Sequence, residues 1–248
     1  MIFFISHLSY VLRAVRKASQ GRQRLDCPRG DATIKYDHSC KSFRNKGASD
    51  NESVEMNLLG VSGSMRADSY SRRALILALE EANNQQAATR ILELRTASLP
   101  LYDPDSVNEP PEGCPVTEAV LWADALILAT PDYHGSMSGA MKNFLDYHWQ
   151  EFAGKLFGYV VASHEKGLTV MDHMRTAVRQ CYGWGLPYGV AVHGERDFGD
   201  DGALKNEALG RRLTMLARDT VIYGAILHQQ FAADVDAAVE DSFSARYR

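Results

Sequence analysis

The 248-residue sequence has no cysteines spaced for a shared metal or redox site: Cys27, Cys40, Cys114 and Cys181 lie far apart, and none belongs to a C-x-x-C pair. A zinc ribbon and a disulfide framework are both excluded, and a reducing, cytoplasmic setting fits best. No apolar run approaches the roughly 18 residues that span a bilayer, so no membrane attachment is expected. Charge of one sign is also scarce. A formal net charge of -4 supplies no basic field for a nucleic-acid partner. No G-x-G-x-x-G follows an apolar run, which argues against a dinucleotide held in the Rossmann manner. Gly135-Ser136-Met137-Ser138-Gly139 approaches a nucleophile elbow, but its central residue is Met137, so it offers no hydrolytic nucleophile. His164, His173 and His193 are too scattered to define a metal site.

What remains is an ordinary globular composition, 45% apolar and 23% charged. Its charge is unevenly spread, with net +4 over residues 1–55 and net -8 over the rest. Residues 20–55 have little apolar content and no periodicity, so 1–55 reads as a disordered N-terminal extension. The apolar start, Met1 to Leu12, is followed rather than preceded by Arg13, Arg16 and Lys17, the reverse of a secretory signal. Met56, immediately before the first strand, is the expected translational start. Residues 56–226 are expected to form the domain and 227–248 a peripheral C-terminal tail.

The chain is organised around Leu58 to Leu79. An apolar run, Met56 to Val61, breaks into Ser62-Gly63-Ser64-Met65-Arg66, and Ala74, Leu75, Ala78 and Leu79 then recur at helical spacing. A loop feeding a helix N-terminus presents free N–H groups and the positive end of the helix dipole, both of which favour a phosphate. A plainer reading is a serine-rich turn in which Ser69 or Ser71 caps the helix.

Further strands are expected at Thr89–Leu94, Ala125–Thr130, Leu156–Ala162 and Leu186–Val192. Helices are expected at Val116–Ala123, Met171–Tyr182 and Ala203 to about Ile226. Leu99 to Pro115 carries five of the eight prolines and must be a surface loop. Alternating strands and helices imply right-handed crossovers and a parallel sheet. In such a sheet a ligand binds beyond the carboxyl ends of the strands, where the strand order reverses. With order 2-1-3-4-5, the loops after the first and third strands become neighbours.

The third strand runs into Pro131-Asp132-Tyr133-His134-Gly135-Ser136, then Gly139, Met141-Lys142-Asn143 and Leu145-Asp146. Together with Gly63-Ser64-Met65-Arg66-Ala67-Asp68-Ser69-Tyr70-Ser71, this resembles the NADPH-dependent FMN reductase family over about Met56 to Gly224. The resemblance implies a flavodoxin-like, doubly wound five-stranded parallel sheet with helices on both faces. It places Ser64, Arg66, Ser69, Tyr70 and Ser71 at the FMN phosphate and ribityl chain. Pro131, Asp132, Tyr133, His134 and Gly135 would line the isoalloxazine ring, and Ser163 would stand near its pyrimidine edge. Asp132 replaces the Glu common after the proline in relatives.

The expected activity is NAD(P)H-dependent: hydride passes from the nicotinamide to flavin N5 and then to a flavin, quinone, azo or metal-oxyanion acceptor, with no catalytic side chain required. NADPH or NADH is the co-substrate, and a homodimer or homotetramer is implied. The alternative is a non-catalytic, flavodoxin-like electron carrier, which the Arg-bearing first loop disfavours.

Overall fold

The computed structural model describes residues 56–97, 99–105 and 115–247. The expected extension over 1–55 and residues 106–114 of the proline-rich loop lie outside them. In chain order the elements are β1 (Asn57–Ser62), α1 (Tyr70–Asn84), β2 (Ala88–Glu93), α2 (Pro115–Trp122), β3 (Ala125–Pro131), α3 (Gly139–Tyr147), β4 (Leu156–Ala162), α4 (Leu168–Gln180), β5 (Trp184–Gly185), β6 (Val190–Val192) and α5 (Glu207–Asp236). Every strand pair is parallel, and the order is β2-β1-β3-β4, followed by β5 and β6, which both pair with β4. This is the expected doubly wound α/β sheet of order 2-1-3-4-5.

The central strands are apolar throughout because both faces are covered, and their side chains divide by the period of two. Leu58, Ile127 and Val160 pack with Leu75 and Ala78 of α1 and with Leu213 and Leu216 of α5. Leu59, Leu126, Leu128 and Phe157 point the other way, onto Val120 of α2, Phe144 of α3 and Met174 of α4. β2 is an edge strand and correspondingly more exposed.

The fifth strand departs from the expected continuous run over Leu186–Val192. Leu156 and Phe157 pair with Trp184 and Gly185, and Val160 to Ala162 pair with Val190 to Val192, so residues 186–189 oppose only residues 158 and 159. Pro187 cannot donate to a ladder, and the chain bulges around the buried Tyr159. A Cβ on Gly185 would stand 2.7 Å from the Tyr159 hydroxyl, and one on Gly189 would stand 3.0 Å from its carbonyl oxygen.

The last helix, expected to end near Ile226, continues to Asp236. Its final turns are retained because Phe231 and Val235 pack with Ala153, Tyr182 and Tyr247, the last from a 3-10 turn over Phe243–Tyr247 that folds back on the helix. That contact joins elements far apart in sequence, which periodicity does not reveal. Among the described residues no helix is long and apolar enough to cross a membrane.

Lys155, buried at the start of β4, donates to the carbonyls of Val120 (2.6 Å) and Ala123 (2.5 Å), closing the C-terminus of α2. Burial pushes its pKa down to about 8. Below that value the ammonium is charged in the folded and unfolded chains alike, and its burial costs stability. Between about 8 and the ordinary lysine value of 10.5 the unfolded chain keeps the proton that the folded chain has released, so stability rises with pH in that window. In urea titrations the gap between wild type and Lys155→Met therefore widens in favour of the wild type from about pH 7.5 to about pH 9.5; a constant gap would show that the ammonium is not perturbed.

Candidate functional site

Loops at the carboxyl ends of β1, β3, β4 and β6 meet at one edge of the sheet. The first is tied to the second through Ser138, 2% exposed. Its hydroxyl donates to the Gly63 carbonyl at 2.6 Å and accepts from the Met141 N–H at 3.1 Å, capping α3. Its own N–H donates to the Thr130 hydroxyl at 3.0 Å. Gly63 N–H in turn donates to Ala129 at the end of β3. Ser138 is thus the junction between the two motifs.

In the first loop Ser64 is buried, and its hydroxyl accepts from the Arg66 N–H at 3.2 Å. Ser69 is the N-cap of α1, accepting from the Arg72 N–H, and its hydroxyl lies 3.4 Å from that of the buried Ser71. Capping was one of the readings available from sequence, and it is compatible with anion binding. Tyr70 and Ser71 occupy the first two helical positions, where N–H groups have no acceptor within the helix. No acidic side chain stands in the first turn of α1. Arg73 forms a double hydrogen bond to Asp68 at 2.7 and 2.5 Å, and this contact holds the Asp68 carboxyl below the usual carboxylate range. Arg72 is engaged by Glu93 at 2.6 Å. Arg66, exposed on the same loop, makes no ion pair among the described residues, so it is the guanidinium left for a ligand.

Tyr70 faces away from that loop. Its ring stacks on Phe198 at 5.9 Å, and Gly194 presses against it so closely that a Cβ there would come within 3.0 Å. Phe198 is held in place by the buried Asp197, which accepts from the His193 N–H and from the Asn206 side chain, each at 2.6 Å. Asp197 had no signal in the sequence, since its partners come from both ends of a polar loop.

In the second loop Tyr133 and Ser136 exchange backbone hydrogen bonds of 2.9 and 3.1 Å. Between them His134 (φ 55°) and Gly135 (φ 79°) are both left-handed, the pattern of a type I′ turn. Glycine meets that demand without a Cβ, and histidine is among the side chains that tolerate it. Pro131 ends β3, and Tyr133 and His134 project outward, with Tyr133 51% exposed. Asp132 does not offer its carboxylate to the crevice. One oxygen accepts from the Gly135 N–H at 2.9 Å and the other from the Ser163 hydroxyl at 2.8 Å. Asp132 and Ser163 therefore pin the third-strand turn to the fourth-strand loop. Ser163 N–H also donates to Val192 of β6 at 2.9 Å.

Two contacts from outside the motifs complete the edge. His173 of α4 reaches the Ser136 hydroxyl at 3.1 Å. Asn143 of α3 donates to Pro100 at 2.6 Å and accepts from the Tyr102 N–H at 2.8 Å, docking the start of the proline-rich loop. Lys142 pairs with Asp146 on the outer surface of α3. No group of His, Cys, Asp and Glu among the described residues could hold a metal ion. The edge thus offers a helix N-terminus with a free cation on one side and a narrow, outward-facing turn on the other, an arrangement that can grip an elongated ligand with an anionic tail and a flat head.

The model of the NADPH-dependent FMN reductase family matches residues 56–196, more than half of the chain. An NAD(P)H-dependent FMN reductase of Pseudomonas aeruginosa is 37% identical over 110 residues, covering 42% of this chain and 57% of that protein. An FMN-dependent NADPH-azoreductase of Staphylococcus haemolyticus is 36% identical over 92 residues, covering 35% of this chain and 48% of that protein. The chain thus aligns with about half the length of the curated relatives it matches. A solved structure titled a flavoenzyme NAD(P)H:acceptor oxidoreductase, from Paracoccus denitrificans, superposes with a TM-score of 0.57 at 17% identity, over 71% of this chain and 98% of that one. At that identity the likeness is one of fold.

Ser138→Ala removes a buried hydroxyl that serves both a helix cap and an inter-loop bond. It should destabilise the protein by roughly 2–3 kcal/mol in urea unfolding. A loss under about 0.5 kcal/mol, the range of an ordinary surface change, would show that the loops are joined by other means.

Proposed function

The chain belongs to the NADPH-dependent FMN reductase family, and from that premise we propose that it binds FMN across the carboxyl edge of the sheet and uses NAD(P)H to reduce a small-molecule acceptor. The observation that carries this reading is the convergence of the Arg66 loop and the Tyr133–Ser136 turn, joined through Ser138 to Gly63. The donor set suits the group. Arg66 and the N–H groups of Tyr70 and Ser71 would meet the phosphate dianion, with the Ser64, Ser69 and Ser71 hydroxyls beside them. Tyr70 would act on this loop mainly by bracing it through Phe198.

Pro131, Tyr133, His134 and Gly135 would lie along the ring system, with the backbone rather than the carboxylate of Asp132 contributing, since that carboxylate is committed to Gly135 and Ser163. Ser163 would set the position of the ring's polar edge through the same bond. FMN, when bound, supplies the hydride chemistry. The chain supplies a phosphate anchor, a rigid turn that fixes the ring, and backbone donors toward charge developing on the ring. No side chain is assigned as a catalytic acid or base.

The acceptor class that fits is a flavin, quinone, azo compound or metal oxyanion reaching the open side of the turn. Met215, Ile222, Tyr223 and Ile226, exposed along α5, support a homodimer or homotetramer. Burial pushes the free Cys181 thiol up to about 11, so it stays protonated near neutral pH and takes no part in this chemistry.

Arg66→Ala should weaken FMN binding by roughly 1.5–3 kcal/mol with no change in thermal unfolding of the FMN-free protein. Undiminished flavin retention would remove Arg66 from the site. Anaerobic addition of NADPH or NADH to the FMN complex should bleach its visible absorbance. A complex that reacts with neither nucleotide would instead be an electron carrier.

A further inference from the structure

At the opposite edge of the sheet, β5, the end of α4 and the last 3-10 turn border an open cavity of about 420 Å3. It lies at the amino end of the strands, since β5 pairs with Leu156 and Phe157, the first residues of β4. Tyr182, Gly183, Trp184, Gly185 and Phe243 line it together with Arg175 and Arg179, and among the described residues no carboxylate does.

Several features of this cavity have no use in packing alone. α4 closes with Gly183 N–H donating to Val178 at 3.0 Å and Tyr182 N–H to Arg179 at 3.2 Å, which sets Tyr182 in the left-handed region at φ 62°. Glycine is the usual occupant of that position, because a bulky side chain is disfavoured there. Strained residues that neighbours hold in place concentrate at ligand clamps. Here the neighbours are Trp149, stacked at 6.4 Å, and Arg246, which donates to the Tyr182 hydroxyl at 2.8 Å.

Trp184 and Phe243 meet edge to face at 6.5 Å yet stay 49% and 39% exposed. Trp184 and Leu186 donate inward to Lys155 and Phe157, so the intervening Gly185 turns its N–H outward. Behind Gly185 stands the buried Tyr159 hydroxyl, which has no hydrogen-bond partner among the described residues. Arg175 is occupied by Asp172 and Leu186, whereas the exposed Arg179 guanidinium makes no hydrogen bond or ion pair among the described residues.

We propose that this cavity binds a planar aromatic anion, its ring against Trp184, Tyr182 and Phe243 and its carboxylate, sulfonate or phosphate met by Arg179. The aromatic walls select a flat apolar body, and an uncompensated guanidinium selects the charge. The site lies at the other end of the strands from Arg66 and Tyr133. Its ligand therefore does not share the carboxyl-edge crevice, and the proposal stands independently of the reading given for that crevice.

Calorimetric titration of the full-length protein carrying one equivalent of FMN, with naphthalenesulfonate and with neutral naphthalenemethanol, tests it. The expected result is one sulfonate per chain, bound about tenfold or more tightly than the alcohol, with quenched tryptophan fluorescence. Arg179→Gln, a change at an exposed position, should abolish the preference for the anion. Trp184→Ala should weaken both ligands, and Arg66→Ala should change neither. Absence of saturable binding, an unchanged preference in Arg179→Gln, or loss of sulfonate binding in Arg66→Ala would each overturn the proposal.

Discussion

One buried hydroxyl organises the carboxyl edge of this sheet. Ser138 takes the Thr130 hydroxyl on its N–H, donates its own proton to Gly63 and accepts from the N–H of Met141. Strand three, helix three and the loop after strand one are thereby fixed to one another by direct hydrogen bonds. Loops are ordinarily the most mobile parts of a fold, and a site assembled from two of them needs such a link to hold its geometry. The link works because Ser138 is 2% exposed: in a low-dielectric interior the unmade bonds would be costly, so the arrangement has one strongly preferred state.

Around that junction, charge is distributed so that one cation remains without an ion pair among the described residues. Arg73 neutralises Asp68 and Arg72 engages Glu93, leaving Arg66 beside a helix N-terminus whose first turn carries no acid. The paired arginines also serve the scaffold. Arg73 lies 5.4 Å from the centre of the Tyr70 ring and 5.9 Å from that of Phe198, so the polar loop after β6 is clamped onto α1. The same economy appears in Asp132, which occurs where a ligand-facing acid could be imagined but uses both oxygens internally.

The sheet's two ends are built differently. The carboxyl edge is polar and held by side-chain to backbone bonds. The amino edge near β5 is aromatic, with Phe231, Phe243, Tyr247 and Tyr182 in mutual ring contact and α5 extended to Asp236 to support them. The interruption of the fifth strand at residues 186–189 separates these environments. Pro187 lies within it, and Gly185 and Gly189 pass close against Tyr159 on either side.

The first four strands, the helices and the two glycine- and serine-rich loops were legible in the sequence, because each depends on local periodicity and on residues a few positions apart, whereas the strand order came with the family resemblance. The roles of Ser69 as a cap and of Pro131 as a strand end follow from the same short-range rules. Tertiary structure alone decided which side chains serve the ligand edge and which serve the scaffold. Asp132 bonds to Ser163, Tyr70 stacks on Phe198, His173 meets Ser136, Asp197 collects the last loop, and the residues after Ile226 fold back onto Tyr182. In each of these, partners distant in sequence, or a loop of no fixed period, compete for a single donor, acceptor or ring face. Only the packed chain settles that competition, because the energy of such a contact depends on burial that no local pattern encodes.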